Sequence, residues 1–269
     1  MKTQLMNALT AVILFLLPNM NFGATPYLGA TTSFALFTAA GAFNNTGVST
    51  IVTGDVGTNV GAFNAFPPGT LVGAKHVADG VSAQAAADVA AAYLYLSGLP
   101  CGSVLGTTLG SGQTLTPKVY CLGGASTLNG NLILDGQNNP NSLFIFQVNG
   151  AFATGTFASV SLINQADLCN VYWQINGEFD LANGSVFRGT IIADGAIHLL
   201  GTSTLLGRGL STAGAISLEN STVTLACSTI PNGTIPTMSE WGLIILGVLL
   251  LGVGTIYILR RKQATIRIT

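Results

Sequence analysis

Five side chains between Asn176 and Leu225 are of types that could run acid–base chemistry: Asp180, Asp194, Arg188, Arg208 and His198. Paired acids, or a histidine with an acid and a supporting arginine, are what polysaccharide cleavage would require. The chain is short of such groups, with 10 Asp plus Glu among 269 residues. Asp79 reads as a helix cap, Glu240 falls in the C-terminal tail, and Asp135 and Asp194 adjoin turn glycines. Arg188 and Arg208 read as partners of turn carbonyls or nearby acids. His198 follows Ile197 in a strand, so it points to the outer side. No acid–base pair stands with a supporting shell. No phosphate-cradling glycine motif precedes a helix, and no serine occupies a Gly-x-Ser-x-Gly elbow. The expectation is a protein that is not an enzyme and uses no cofactor.

A second chemistry belongs to a surface. Thr154, Thr156, Ser185, Thr190, Thr202, Ser203, Thr204 and Thr222 recur in strand-like segments. Stacked coils would set such residues ~4.8 Å apart in ranks. Short hydroxyls and methyls in ranks can hold water near the spacing of an ice lattice, provided no charge draws that water into its own shell. Only 7% of residues are charged and the formal net charge is -1, which also excludes an electrostatic grip on nucleic acid. Threonine is equally a good strand residue whatever its role. The eight are therefore candidates for an ice-binding face.

What positions these residues is a repeat. Gly177, Gly195 and Gly214 each open a turn, at steps of 18 and then 19 residues. Phe179, Ile197 and Ile216 follow two residues later, and Leu181, Leu199 and Leu218 two after those. Phe187 and Leu205 hold matching places, with Thr224 as the expected third member. The step is too short for a helical-pair repeat, and the alternation has the period of a strand. No coil buries its apolar side alone, so stacking must supply the core. The sequence thus predicts a mainly β protein, a β-solenoid.

Tyr27 to Gly69 reads as further coils with irregular connections, with Pro67 and Pro68 interrupting any central strand. Coils resume from Gln113. Between them, residues 79–98 read as one long helix, capped by Asp79 and ended by Gly98. Val81, Ala85, Val89, Ala92 and Leu96 share one of its faces. At roughly 28 Å it should run along the solenoid axis and cover a flank.

Both ends read as targeting segments. Residues 1–24 have the pattern of a secretory signal peptide, with Lys2 before an apolar run from Ala8 to Leu17. Residues 228–240 read as a spacer and 241–259 as one membrane crossing. The tail, 260–269, opens with Arg260, Arg261 and Lys262 and should stay cytoplasmic. The domain at 25–227 is thereby expected outside the cytoplasm, anchored in a membrane at least as a precursor. Cys101, Cys121, Cys169 and Cys227 fit an oxidising compartment and two disulfides. Three pairings are possible; Cys101–Cys121 with Cys169–Cys227 is favoured. No two cysteines have ligand-type spacing, so no metal site is expected.

Several segments carry a resemblance in their order and spacing. They are LGATTSFALF near the start, TGDVGTNVG leading to FPPGTLVG, and AQAAADVAAAYLYLSG in the helix. TLTPKVYC, FIFQV, CNVYWQI, SVFRGTIIA and GRGLSTAGAISL follow. From Leu28 to about Leu225 the chain resembles the microbial ice-binding protein family. That resemblance implies a discontinuous right-handed β-solenoid with one long flanking helix, and ice binding through one broad face without a fixed residue set. Lys118 departs from it, standing where the family usually has a turn glycine.

The tail is similar to the Ile-Pro-Thr-Leu sorting signals of proteobacteria. It reads Ile235, Pro236, Thr237, Met238, then Trp241 and Gly242 after Ser239 and Glu240. This resemblance implies an exosortase-like processing enzyme as a partner. The leading expectation is an exported, non-catalytic ice-binding protein. A cell-surface structural or adhesive solenoid, binding a polysaccharide or another surface ligand, is the alternative.

Overall fold

The computed structural model describes residues 25–227. The expected signal peptide (1–24), spacer, sorting motif, membrane segment and basic tail lie outside the described residues. Among the described residues, no helix is long and apolar enough to cross a membrane.

Strands pair in parallel, coil on coil. One segment of each coil joins an eight-stranded sheet. Its spatial order is Phe63–Asn64, Phe43–Asn45, Ile216–Leu218, Ile197–Leu199, Phe179–Leu181, Phe152–Thr154, Ser126–Asn129 and Thr108–Gly110. The other two segments belong to a 15-stranded sheet that turns a corner. Strands Val186–Ala193 and Thr204–Ser211 run round that corner, with Gly189 and Gly207 at φ of 113° and 137°. A Cβ on Gly207 would sit 2.0 Å from the Gly189 carbonyl oxygen, so only glycine lets these coils stack.

Spatial order departs from chain order. Phe43–Asn45 stacks on Ile216–Leu218, and Ile51–Thr53 stacks on Thr222–Thr224. The first coils therefore lie against the last. From this seam the chain builds outward to Lys75–Val77, returns along one flank as a helix, and restarts at the far end with Ser103–Leu105. The solenoid is discontinuous for this reason.

The returning helix, α1, spans Gly80–Ser97, and Asp79 with Ser82 forms a reciprocal capping box at its start. Ala85, Val89, Ala92 and Leu96 are buried as the spacing predicts; Val81 is exposed, and Ser82 takes the inward place. Their partners are Phe34, Phe37, Ile145, Tyr172, Ile192 and Leu210, which with α1 make a second apolar core. The Gln147 side-chain amide donates to the carbonyls of Leu96 and Leu99 and ties the helix end to the solenoid. The first core fills the coils, where Phe146 stacks on Trp173 and Phe152 on Phe179.

Three local expectations are corrected or resolved. The place matching Phe187 and Leu205 is held by Val223, not Thr224. One coil has an extra residue at the Gly214 corner and one fewer before Thr222, so the 19-residue step does not carry through to the next strand. Lys118 lies in the strand Lys118–Leu122, paired with Phe144–Val148, and not in a turn. The disulfides are Cys101–Cys121 and Cys169–Cys227, the favoured pairing.

Candidate functional site

The helix covers one face of the solenoid and leaves two. On the eight-stranded face the outward file runs Asn64, Asn44, Ser217, His198, Asp180, Ala153, Thr127 and Thr108. It is a polar file with its own bonds. Asn64 donates to Asn44 at 3.0 Å, and a 2.8 Å hydrogen bond joins His198 Nδ1 to Asp180 Oδ1.

The other free face is different in kind. Thr70–Val72, Ile51–Thr53, Thr222–Thr224 and the first half of Thr204–Ser211 lie side by side in register. Period-two alternation buries Val52, Val223 and Leu205 and turns their neighbours out. One outward rank is Thr70, Ile51, Thr222 and Thr204; the second is Val72, Thr53, Thr224 and Leu206. Ranks stand ~6.6 Å apart along a strand and members ~4.8 Å apart between coils. None of the eight is charged. Among the described residues, the hydroxyls of Thr53, Thr70, Thr204, Thr222 and Thr224 make no hydrogen bond to protein.

Of the threonine and serine candidates, Thr204 and Thr222 face each other directly in the first rank. Four others are buried and cannot meet an outside surface: Thr154, Ser185, Thr190 and Ser203. Thr154 has the same parity as inward Phe152 and donates to Ser185 while accepting from the Ala182 amide. Ser185 and Ser203 sit just before strands, where the corner breaks the alternation and folds the small side chain in. Thr190 follows the Gly189 corner and lies on the helix-covered side, next to Tyr172 and Arg208. Thr156 and Thr202 are exposed, but in turns outside the ranks.

A family model described as ice-binding-like matches residues 37–224. The chain belongs to the ice-binding-like family. A relative named ice-binding protein from Nostoc sp. (strain HG1) is 36% identical, over 76% of this chain and 76% of its own. A crystal structure of an ice-binding protein from an Antarctic Flavobacteriaceae bacterium superposes with a TM-score of 0.74 at 38% identity. That match covers 77% of this chain and 50% of the other, so the chain spans about half of that relative. The ice-binding protein of the Antarctic ascomycete Antarctomyces psychrotrophicus gives a TM-score of 0.71 at 32% identity, over 76% of this chain and 100% of its own. An IPTL-CTERM motif model matches residues 235–261, which include Ile235, Pro236, Thr237, Trp241 and Gly242.

Within this ice-binding-like chain two of the five acid–base candidates, Asp180 and His198, meet, and the other three bond elsewhere. Asp180 and His198 share the eight-stranded face, and Asp194 accepts from the Thr212 hydroxyl at a corner. Arg188 lies on the face of the threonine ranks and donates to the Val160 carbonyl. Arg208 is 2% exposed and donates to the carbonyls of Thr32 and Cys227. Burial pushes the Arg208 pKa down, opposed by nearby Tyr172, whose own pKa burial raises to about 12. Among the described residues no group of three His, Cys, Asp or Glu side chains is placed to hold a metal.

Sequence reasoning missed six of the eight rank members: Ile51, Thr53, Thr70, Val72, Leu206 and Thr224. A signal was present. TIVT, TLV, TVT and TLL each put an apolar residue between two outward ones, but only the seam sets the first two beside the last two.

Proposed function

We propose that this protein binds ice by adsorption through the face carrying Thr70, Ile51, Thr222, Thr204, Val72, Thr53, Thr224 and Leu206, without catalysis. The observation that carries this reading is the pair of in-register ranks, uncharged and with uncommitted hydroxyls. A surface already ordered by the sheet loses little entropy on meeting a lattice, and many weak contacts then act together. Methyl and aliphatic groups between the hydroxyls leave water weakly held, which a charged face would not do. The relatives' names support the same ligand. The protein is exported, anchored at 241–259 at least as a precursor, and cut near Ile235–Pro236–Thr237 by an exosortase-like enzyme. The sorting-motif match supports that route.

The test uses residues 25–227, which hold both cores and both disulfides. The match to the ascomycete structure covers 76% of this chain and 100% of that one. Ice recrystallisation and crystal shape are scored at micromolar protein. Faceted crystals and arrested grain growth are expected, with loss on Thr222→Tyr, which lifts any flat lattice off the ranks. Round crystals and normal coarsening would falsify ice binding and turn attention to glycan ligands.

A further inference from the structure

Resting on the ice-binding reading, we propose that the contact area is the four-coil patch at the seam, not the whole free face, and that Arg188 is the residue that ends it. The two ranks continue past Thr204 and Leu206 to Val186 and Arg188, then to Ser159 and Ser161, then to Asn131 and Ile133. Their chemistry changes at Arg188. Its guanidinium reaches back over the next coil to the Val160 carbonyl, where its donors orient water around a fixed charge.

In the next coil beyond it the serine hydroxyls are spent, and the next uncommitted one is Thr114, opposite Ile133 in the edge coil. Ser159 and Ser161 both donate to Asn131 Oδ1, at 2.9 and 2.8 Å. Asp135 adds a second charge and accepts from the Gln137 amide and the Asn164 side chain. On the seam side five threonine hydroxyls remain uncommitted among the described residues. One face therefore holds two surfaces: a hydroxyl–aliphatic patch of four coils and a self-bonded polar patch. Only the first leaves its water free to match a lattice. The patch is assembled from two distant segments, 51–72 and 204–224, so the stacking that closes the solenoid also creates the site.

Four variants of residues 25–227 test this in the recrystallisation assay, each first checked for an unchanged circular-dichroism spectrum and melting temperature. Thr53→Tyr, at the patch centre, should raise the protein concentration needed by about tenfold or more. Ser161→Tyr lies in the same rank beyond Arg188 and should change it by less than about twofold. Arg188→Thr extends the patch by a coil and should lower the concentration needed by about twofold to threefold, since added contacts act together. Arg188→Lys keeps the charge and should give no gain. Equal losses from Ser161→Tyr and Thr53→Tyr would overturn the boundary, as would no gain from Arg188→Thr. A wild-type protein without activity would overturn the ice-binding reading and this inference with it, whereas an active wild type with equal losses removes only the boundary.

Discussion

Arg208 concentrates several of the fold's demands in one side chain. It stands in the strand beside Thr190, almost wholly enclosed, and its Nη2 donates to Thr32 before the first strand and to Cys227 after the last. It thus joins both ends of the described chain across the seam. A charge there is costly, and burial accordingly lowers the Arg208 pKa. Removing it leaves two carbonyls unpartnered and a cavity beside Tyr172. Arg208→Ala should cost about 2–4 kcal/mol, read as the shift in a urea unfolding midpoint at constant slope. Its neighbour Tyr172 gives the fold an alkaline limit. A tyrosine pKa raised from 10.0 to about 12 means the folded state holds its proton more tightly than the unfolded state. That stability is complete below pH ~10 and is lost as pH rises through about 12. Melting temperature should fall across this interval in the wild type and fall less in Tyr172→Phe.

At the scale of elements, α1 shows what a sequence can disclose. Its alanines, Asp79 and Gly98 are local signals, and the helix occupies the predicted span within a residue at each end. Val81 fails because the capping box draws Ser82 inward, a detail set by Asp79. The same cap yields a pH prediction. Bonds from the Ser82 amide and from His76 hold the Asp79 carboxyl down at about 2. A depressed acid contributes stability that is present above its unfolded value of 3.8 and lost as pH falls through about 2. Helical ellipticity should decline in that window, while Asp79→Asn, which can still cap, should remove the dependence. Strands were legible as a class because alternation is local, but their phase was not. Corners at Gly189 and before Val186 and Thr204 reset it, which is why Ser185, Ser203 and Thr190 turned out buried.

Whole-molecule order was the least legible level. The repeat at Gly177, Gly195 and Gly214 identifies stacked coils, yet nothing local says that Ile51 lies beside Thr222, because that pairing forms only after the helix has carried the chain back. The candidate site follows from the pairing, so Thr204 and Thr222 could be read and their partners Ile51, Thr53 and Thr70 could not. This dependence makes the two disulfides unequal. Cys169–Cys227 fastens the chain just after Thr222–Thr224, the strand in the middle of the patch between Ile51–Thr53 and Thr204–Leu206. Cys101–Cys121 fastens the far end, at the edge strand Ser103–Leu105. Each constrains the unfolded chain and should contribute about 2–4 kcal/mol. Only the first also holds the patch in register. Replacing Cys101 and Cys121 with serine should lower the melting temperature and leave ice activity nearly intact. Replacing Cys169 and Cys227 should reduce ice activity at temperatures where circular dichroism still reports a folded solenoid. If both pairs of replacements reduced activity only in step with unfolding, the last strand would be held by its ladder and cores alone.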